Sequence, residues 1–149
     1  MKKLRLLLAV PLVLPLLGSD APKDYQDGIV YADGLEGSWL LVTYEAGGEA
    51  RKVAYGLVMT YRRGEVESRP PDGGRNRVMG TYRADPGARP ATLDTFYTDG
   101  FHRGKTWRSI YRIDGDTLYV GYQSGGARRP EGFDDKADLH IETYRRLRR

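Results

Sequence analysis

From Trp39 to the C-terminus this chain is interrupted by clusters of Gly, Pro and Asp at intervals of about eight to twelve residues. Runs that short give a helix too few turns to bury a face. They suit strands, and many short strands at even spacing build a barrel or a sandwich. The runs are Trp39–Glu45, Ala54–Arg62, Glu65–Ser68, Arg77–Arg83, Ala91–Thr98, Thr106–Ile113, Thr117–Gln123 and Ala137–Arg146. Asp114-Gly115 reads as a two-residue hairpin turn with positive φ at both positions. Gly125 to Asp135 reads as a long loop, and no helix of useful length or internal repeat is predicted. The expected fold is all-β: a small antiparallel eight-stranded β-barrel spanning 35–149.

Alternation along each run assigns faces, because successive strand side chains point to opposite sides. Leu57, Met59 and Tyr61 share the apolar face of their run, as do Val78, Gly80 and Tyr82. Leu93, Thr95 and Tyr97 form a third set, Trp107, Ser109, Tyr111 and Ile113 a fourth, and Leu118, Val120 and Tyr122 a fifth. In the last run Leu139 and Ile141 are apolar while Asp138, His140 and Glu142 are not, which predicts that the odd residues, including Thr143 and Arg145, face inward. The first run is ambiguous, since Leu40 and Val42 compete with Trp39 and Leu41. Tyr61, Tyr82, Tyr97, Tyr111 and Tyr122 all fall on inward faces. A buried Tyr hides its ring but needs a partner for its hydroxyl. Five of them converging on one interior would line an apolar cavity with a few polar points, the usual make-up of a small-molecule site.

The N-terminus has the pattern of a secretory signal. Lys2, Lys3 and Arg5 precede an apolar stretch from Leu6 to Leu17 that is too short for a membrane span of about 20 residues. Residues 1–21 are therefore expected to be removed on export to the periplasm or beyond, leaving a polar lead-in over 22–34. With no cysteine in the chain there is neither a lipid-modified Cys nor a disulfide, so the core alone must hold the domain. About 125 residues suffice, since a domain of that size buries about two-thirds of its extended-chain surface. The formal charge of +4 loses three basic residues and Asp20 with the signal, falling to +2. Near-neutrality of this kind gives no argument for nucleic acid.

A set of short motifs in fixed order carries a resemblance. Leu35-Glu36-Gly37-Ser38-Trp39 is followed by Gly80-Thr81-Tyr82-Arg83, Asp85-Pro86, Arg89-Pro90 and Thr92-Leu93-Asp94. Then come Gly104-Lys105-Thr106, Ile110-Tyr111, Ile113-Asp114-Gly115-Asp116-Thr117-Leu118 and Arg129-Pro130-Glu131 with Phe133. In this the chain resembles a lipocalin-like domain family of unknown function found in exported proteins of planctomycete bacteria. The resemblance implies a lipocalin-like barrel and supplies no reaction, ligand or catalytic residue. The wider lipocalin pattern implies one structural role: Gly37 and Trp39 resemble the Gly-x-Trp at the barrel base, and Arg145 the arginine packed across it.

Chemistry-bearing constellations are sparse. His102 and His140 are the only histidines and show neither His-x-His nor His-x₃-His spacing, so no metal site is expected and both are read as surface residues. Asp114 and Asp116 lack the rest of a calcium loop, with Gly125 where a bidentate Glu would stand. Ser38 has no Gly-x-Ser-x-Gly context, and the glycine pairs at 47–48, 73–74 and 125–126 precede no helix that could cradle phosphate. The arginine-rich stretches are interleaved with acids and read as solvated surface. The expectation is a non-enzymatic binder of a small, partly apolar molecule, with no cofactor and no catalytic residue. The alternative is a filled barrel serving as a structural or protein-interaction module of the cell envelope, presenting its 69–77 and 125–135 loops. An enzyme reading would have to centre on His102.

Overall fold

The computed structural model describes residues 34–54, 56–72, 74, 77–135 and 138–148. The predicted signal 1–21, nearly all of the lead-in 22–34, and Ala137 lie outside the described residues. The strands are β1 (Gly37–Ala46), β2 (Glu49–Lys52), β3 (Val58–Arg62), β4 (Glu65–Arg69), β5 (Val78–Asp85), β6 (Ala91–Tyr97), β7 (Thr106–Asp114), β8 (Thr117–Gln123) and β9 (Leu139–Leu147). Sequential strands from β3 to β9 pair antiparallel, β1 joins β3, and β9 returns to pair with β1. The result is a closed eight-stranded antiparallel barrel, with β2 as one extra strand outside the ring, paired to β1.

Two local expectations are corrected. The run Ala54–Arg62 is a strand only from Val58, and β2 lies upstream of it in a segment with no apolar alternation. All four β2 residues are exposed, so what holds them is the tight Gly47-Gly48 turn (φ +61° and +80°) that folds them back on β1. At the β7–β8 hairpin, Asp114 pairs with Thr117, so the turn residues are Gly115 and Asp116 rather than Asp114 and Gly115. Of these, Gly115 has positive φ (+56°), which is the geometry of a turn that needs glycine at its first central position.

Most of the predicted faces hold. Met59, Tyr61, Tyr82, Leu93, Thr95, Ser109, Tyr111, Leu118 and Val120 are buried. Leu57 is one exception, exposed and preceding its strand. The ambiguity of β1 has a structural cause. Opposite β9, Leu41 pairs with Tyr144 but Thr43 pairs with Thr143, so Val42 is a surplus residue, a β-bulge. Trp39 and Leu41 point inward before it, and Tyr44 after it.

On β9 the predicted face is reversed. Tyr144 is buried in the core, so the even residues His140, Glu142, Tyr144 and Arg146 face inward, and Arg145 is exposed. The role expected of Arg145 belongs to Arg146. Its guanidinium carbon lies 3.9 Å from the centre of the Trp39 ring, it donates to Glu36 O at 3.0 Å and to Gly34 O, and Asp116 Oδ1 is 3.9 Å from its Nε. Trp39 Nε1 donates to Leu35 O at 2.8 Å, so fully buried Leu35 and Trp39 are locked together beneath the arginine. Gly37 (φ +123°) makes room, since a Cβ there would stand 3.3 Å from Arg146 Nη1. This cap seals one end of the barrel, its base.

Trp39→Ala is expected to cost about 3–5 kcal/mol, the range for deleting a large buried aromatic. Arg146→Ala should cost about 1–3 kcal/mol through the lost ring contact and charged hydrogen bonds. Arg145→Ala should stay within about 0.5 kcal/mol of the parent. Urea unfolding of the three variants checks the order; equal losses at 145 and 146 would contradict the assignment.

Candidate ligand site

The five tyrosines divide into two groups. Tyr61, Tyr82 and Tyr111 are buried in the hydrophobic core on the base side, with the Tyr61 and Tyr82 rings edge to face at 5.1 Å. Tyr97 and Tyr122 end β6 and β8 in the far half and are only half-buried. Their neighbours in that half are residues that the sequence reading did not count as lining. Trp107 starts β7 and meets Tyr122 at 4.8 Å and Tyr97 at 6.4 Å, both edge to face. His102 lies against Trp107 at 4.8 Å. His140 stacks on Tyr122 at 5.5 Å with the ring planes 10° apart. Neither histidine is the solvated surface residue expected of it: both are half-buried in this aromatic array.

The inward turn of β9 places a carboxylate inside the barrel. Glu142 Oε1 accepts from the Tyr122 hydroxyl at 3.1 Å, and Oε2 accepts from the Tyr144 hydroxyl. Beyond it, His140 Nδ1 is 2.5 Å from Tyr44 Oη. His140 Nε2 is 3.5 Å from Asp138 Oδ1, close enough for charge attraction but without hydrogen-bond geometry. Tyr44 reaches this cluster because of the Val42 bulge; with uninterrupted alternation it would point away from the side that Trp39 and Leu41 share. Trp107 is backed by the loop after β8. Arg108 N donates to Gly126 O at 2.8 Å, and a Cβ on Gly126 would sit 2.6 Å from indole carbons. Only glycine, at φ +67°, lets that backbone lie on the ring.

Burial sets the electrostatics. It raises the Glu142 carboxyl above its ordinary range, although the hydrogen bonds from Tyr144 and Tyr122 and the nearby His140 pull the other way. The Tyr97 hydroxyl is pushed up to about 12, first by burial and then by Glu142. Tyr122, Tyr61 and Tyr144 are raised further, again chiefly by burial, so all of them are neutral donors at physiological pH. His102 is lowered by burial and by Lys105, which keeps its ring neutral. Among the described residues, three polar atoms in this half, Trp107 Nε1, His102 Nδ1 and His140 Nε2, are buried without a hydrogen-bond partner.

The arrangement suits recognition. Aromatic walls carry a few directed polar atoms around one acid held inside the barrel, as in small-molecule sites generally. The signals for it lay in Trp107, already on a predicted inward face, and in Tyr144, a large aromatic whose parity contradicted the inward reading of Leu139 and Ile141. No protein-family model, curated protein or solved structure matches the chain.

The raised Glu142 pKa has a definite consequence for stability. The folded state holds the proton to higher pH than the unfolded state. Its contribution is therefore fully present below the unfolded carboxyl pKa of about 4.3 and is lost as pH rises through the folded value. Glu142→Gln cannot ionise and should not show that decline. The variant is expected to match the parent near about pH 4 and to exceed it at neutral pH. Thermal unfolding across that range checks this; parallel profiles for the two proteins would contradict it.

Proposed function

We propose that this chain is an exported, non-enzymatic barrel that holds a small, partly apolar molecule in its far half. The observation that carries the reading is the contrast between the two ends of one interior. Toward the base, Leu35, Trp39, Leu93 and Leu118 are almost completely buried. In the far half, the inward side chains Tyr44, Tyr97, Trp107, Tyr122, His140 and Glu142 are only half-buried. Apolar wall area with the unpartnered Trp107 Nε1 and His102 Nδ1 is what a ligand with one or two polar atoms would complete, since a buried unpaired polar group costs about 1–3 kcal/mol. On this reading Tyr97 and Tyr122, of the five expected lining residues, would line the site, with the buried Tyr61, Tyr82 and Tyr111 as the packed floor beneath it. Export to the periplasm or beyond rests on the N-terminal segment alone, and the lipocalin-like resemblance supports the same reading.

The alternative, a filled barrel acting as an envelope interaction module, draws on that packed floor and on the 125–135 loop. Arg129 fastens the loop to the outer wall through Ser109 O and Asp94 Oδ1, each at 2.6 Å. A neutral apolar dye, N-phenyl-1-naphthylamine, separates the two readings. The binder should take up one dye molecule per chain with enhanced emission. Trp107→Ala and Tyr97→Ala should each weaken uptake by about fivefold or more, or about 1 kcal/mol. Tyr111→Ala should act instead on stability, by about 3–5 kcal/mol. No dye uptake by the parent protein would sink the binder reading in favour of the module.

A further inference from the structure

Glu142 is placed unusually for a carboxylate. It projects into the barrel between the dry floor and the aromatic far half, and both its oxygens already accept hydroxyl donors, from Tyr122 and Tyr144. Those two donors favour the ionised form, while burial opposes it, and a countercharge placed beside the carboxylate would tip the balance toward ionisation. Among the described residues no lysine or arginine forms an ion pair with it; the ion pairs of the barrel lie at its base and outer surface. The nearest group able to carry positive charge is His140, whose Nδ1 is taken by Tyr44 and whose Nε2 faces Asp138. A buried carboxylate without a countercharge is costly, and folds that keep one usually supply the partner from somewhere.

The walls around it are suited to a cation. Trp107 and Tyr122 meet edge to face, and Tyr97 and Tyr44 complete the far half. Aromatic faces attract ammonium groups, more strongly once water is excluded. We propose that the molecule held in this barrel is an organic cation, a protonated amine on an apolar or aromatic body, with its ammonium group directed at Glu142. The proposal rests on the binder reading above and sharpens it. An anion of the same shape would meet the Glu142 charge, and a neutral isostere would leave that charge unmatched.

The test uses three probes of one shape on the purified protein at about pH 7.5, where an alkylamine is protonated: 2-phenylethylamine, 2-phenylethanol and 3-phenylpropionate. Calorimetric titration should show the amine binding at least about tenfold more tightly than the alcohol, with the acid weakest. Glu142→Gln should remove the preference for the amine over the alcohol. The comparison within the parent protein does not depend on that variant folding. Equal affinity for amine and alcohol, or a preference for the acid, alongside dye uptake would overturn the cation assignment while the binder stands. Failure of all three probes and of the dye would overturn both.

Discussion

A barrel closed by pairing its first strand with its last must reconcile the side-chain alternation of the two along the whole seam. Here the reconciliation is made by one surplus residue, Val42. On the base side of the bulge, Leu41 faces Tyr144 and Trp39 faces Arg146; on the far side, Tyr44 faces Glu142 and Ala46 faces His140. Without it, an in-phase seam near the base would leave Tyr44 outside and His140 without its hydroxyl partner. The same strand changes neighbours on its other edge, pairing with β3 over Gly37–Leu40 and with β2 over Thr43–Ala46. Seam and far-half chemistry therefore depend on one irregularity, as is common where β-bulges re-aim side chains near functional sites.

The two halves of the interior serve different ends. The base gathers the contacts that make the fold stable: the Trp39 ring beneath Arg146, its indole bonded to Leu35 O, and the packed tyrosines above. In the far half burial is less complete and the groups less compatible with it, with an acid, two imidazoles and several phenols in contact. Such groups cost stability wherever their partners are imperfect, and a fold that retains them gains something other than stability. The packed floor supports this, with β8 and β9 paired without a break from Leu118 and Tyr144 up to Tyr122 and His140.

The barrel and most of its inward faces were legible because alternation works where one face is dry. Leu93, Tyr111 and Leu118 were placed by that rule alone and are buried. The rule misled on β9, where the core residue is Tyr144, so the even set that includes Glu142 faces inward and the set of Leu139 and Ile141 does not. In an open half the interior is itself the polar side, so hydrophobicity no longer distinguishes in from out. Exchanging Arg145 for Arg146 is the same error carried to the end of the strand. β2 was invisible for a different reason: its four exposed residues owe their conformation to the turn before them. Tyr44, His140 and Glu142 could not have been grouped from the sequence, because the bulge that joins them is a property of the pairing between distant strands.

The most direct test of the two-halved interior is where a bound molecule sits. In a NOESY spectrum of the protein with N-phenyl-1-naphthylamine, the account predicts contacts from the dye to the ring protons of Tyr97, Trp107 and Tyr122, and none to Trp39 or Leu118. Contacts confined to the outer recess of about 370 Å³ lined by Ser38, Thr60, Arg62 and Leu147 would contradict it.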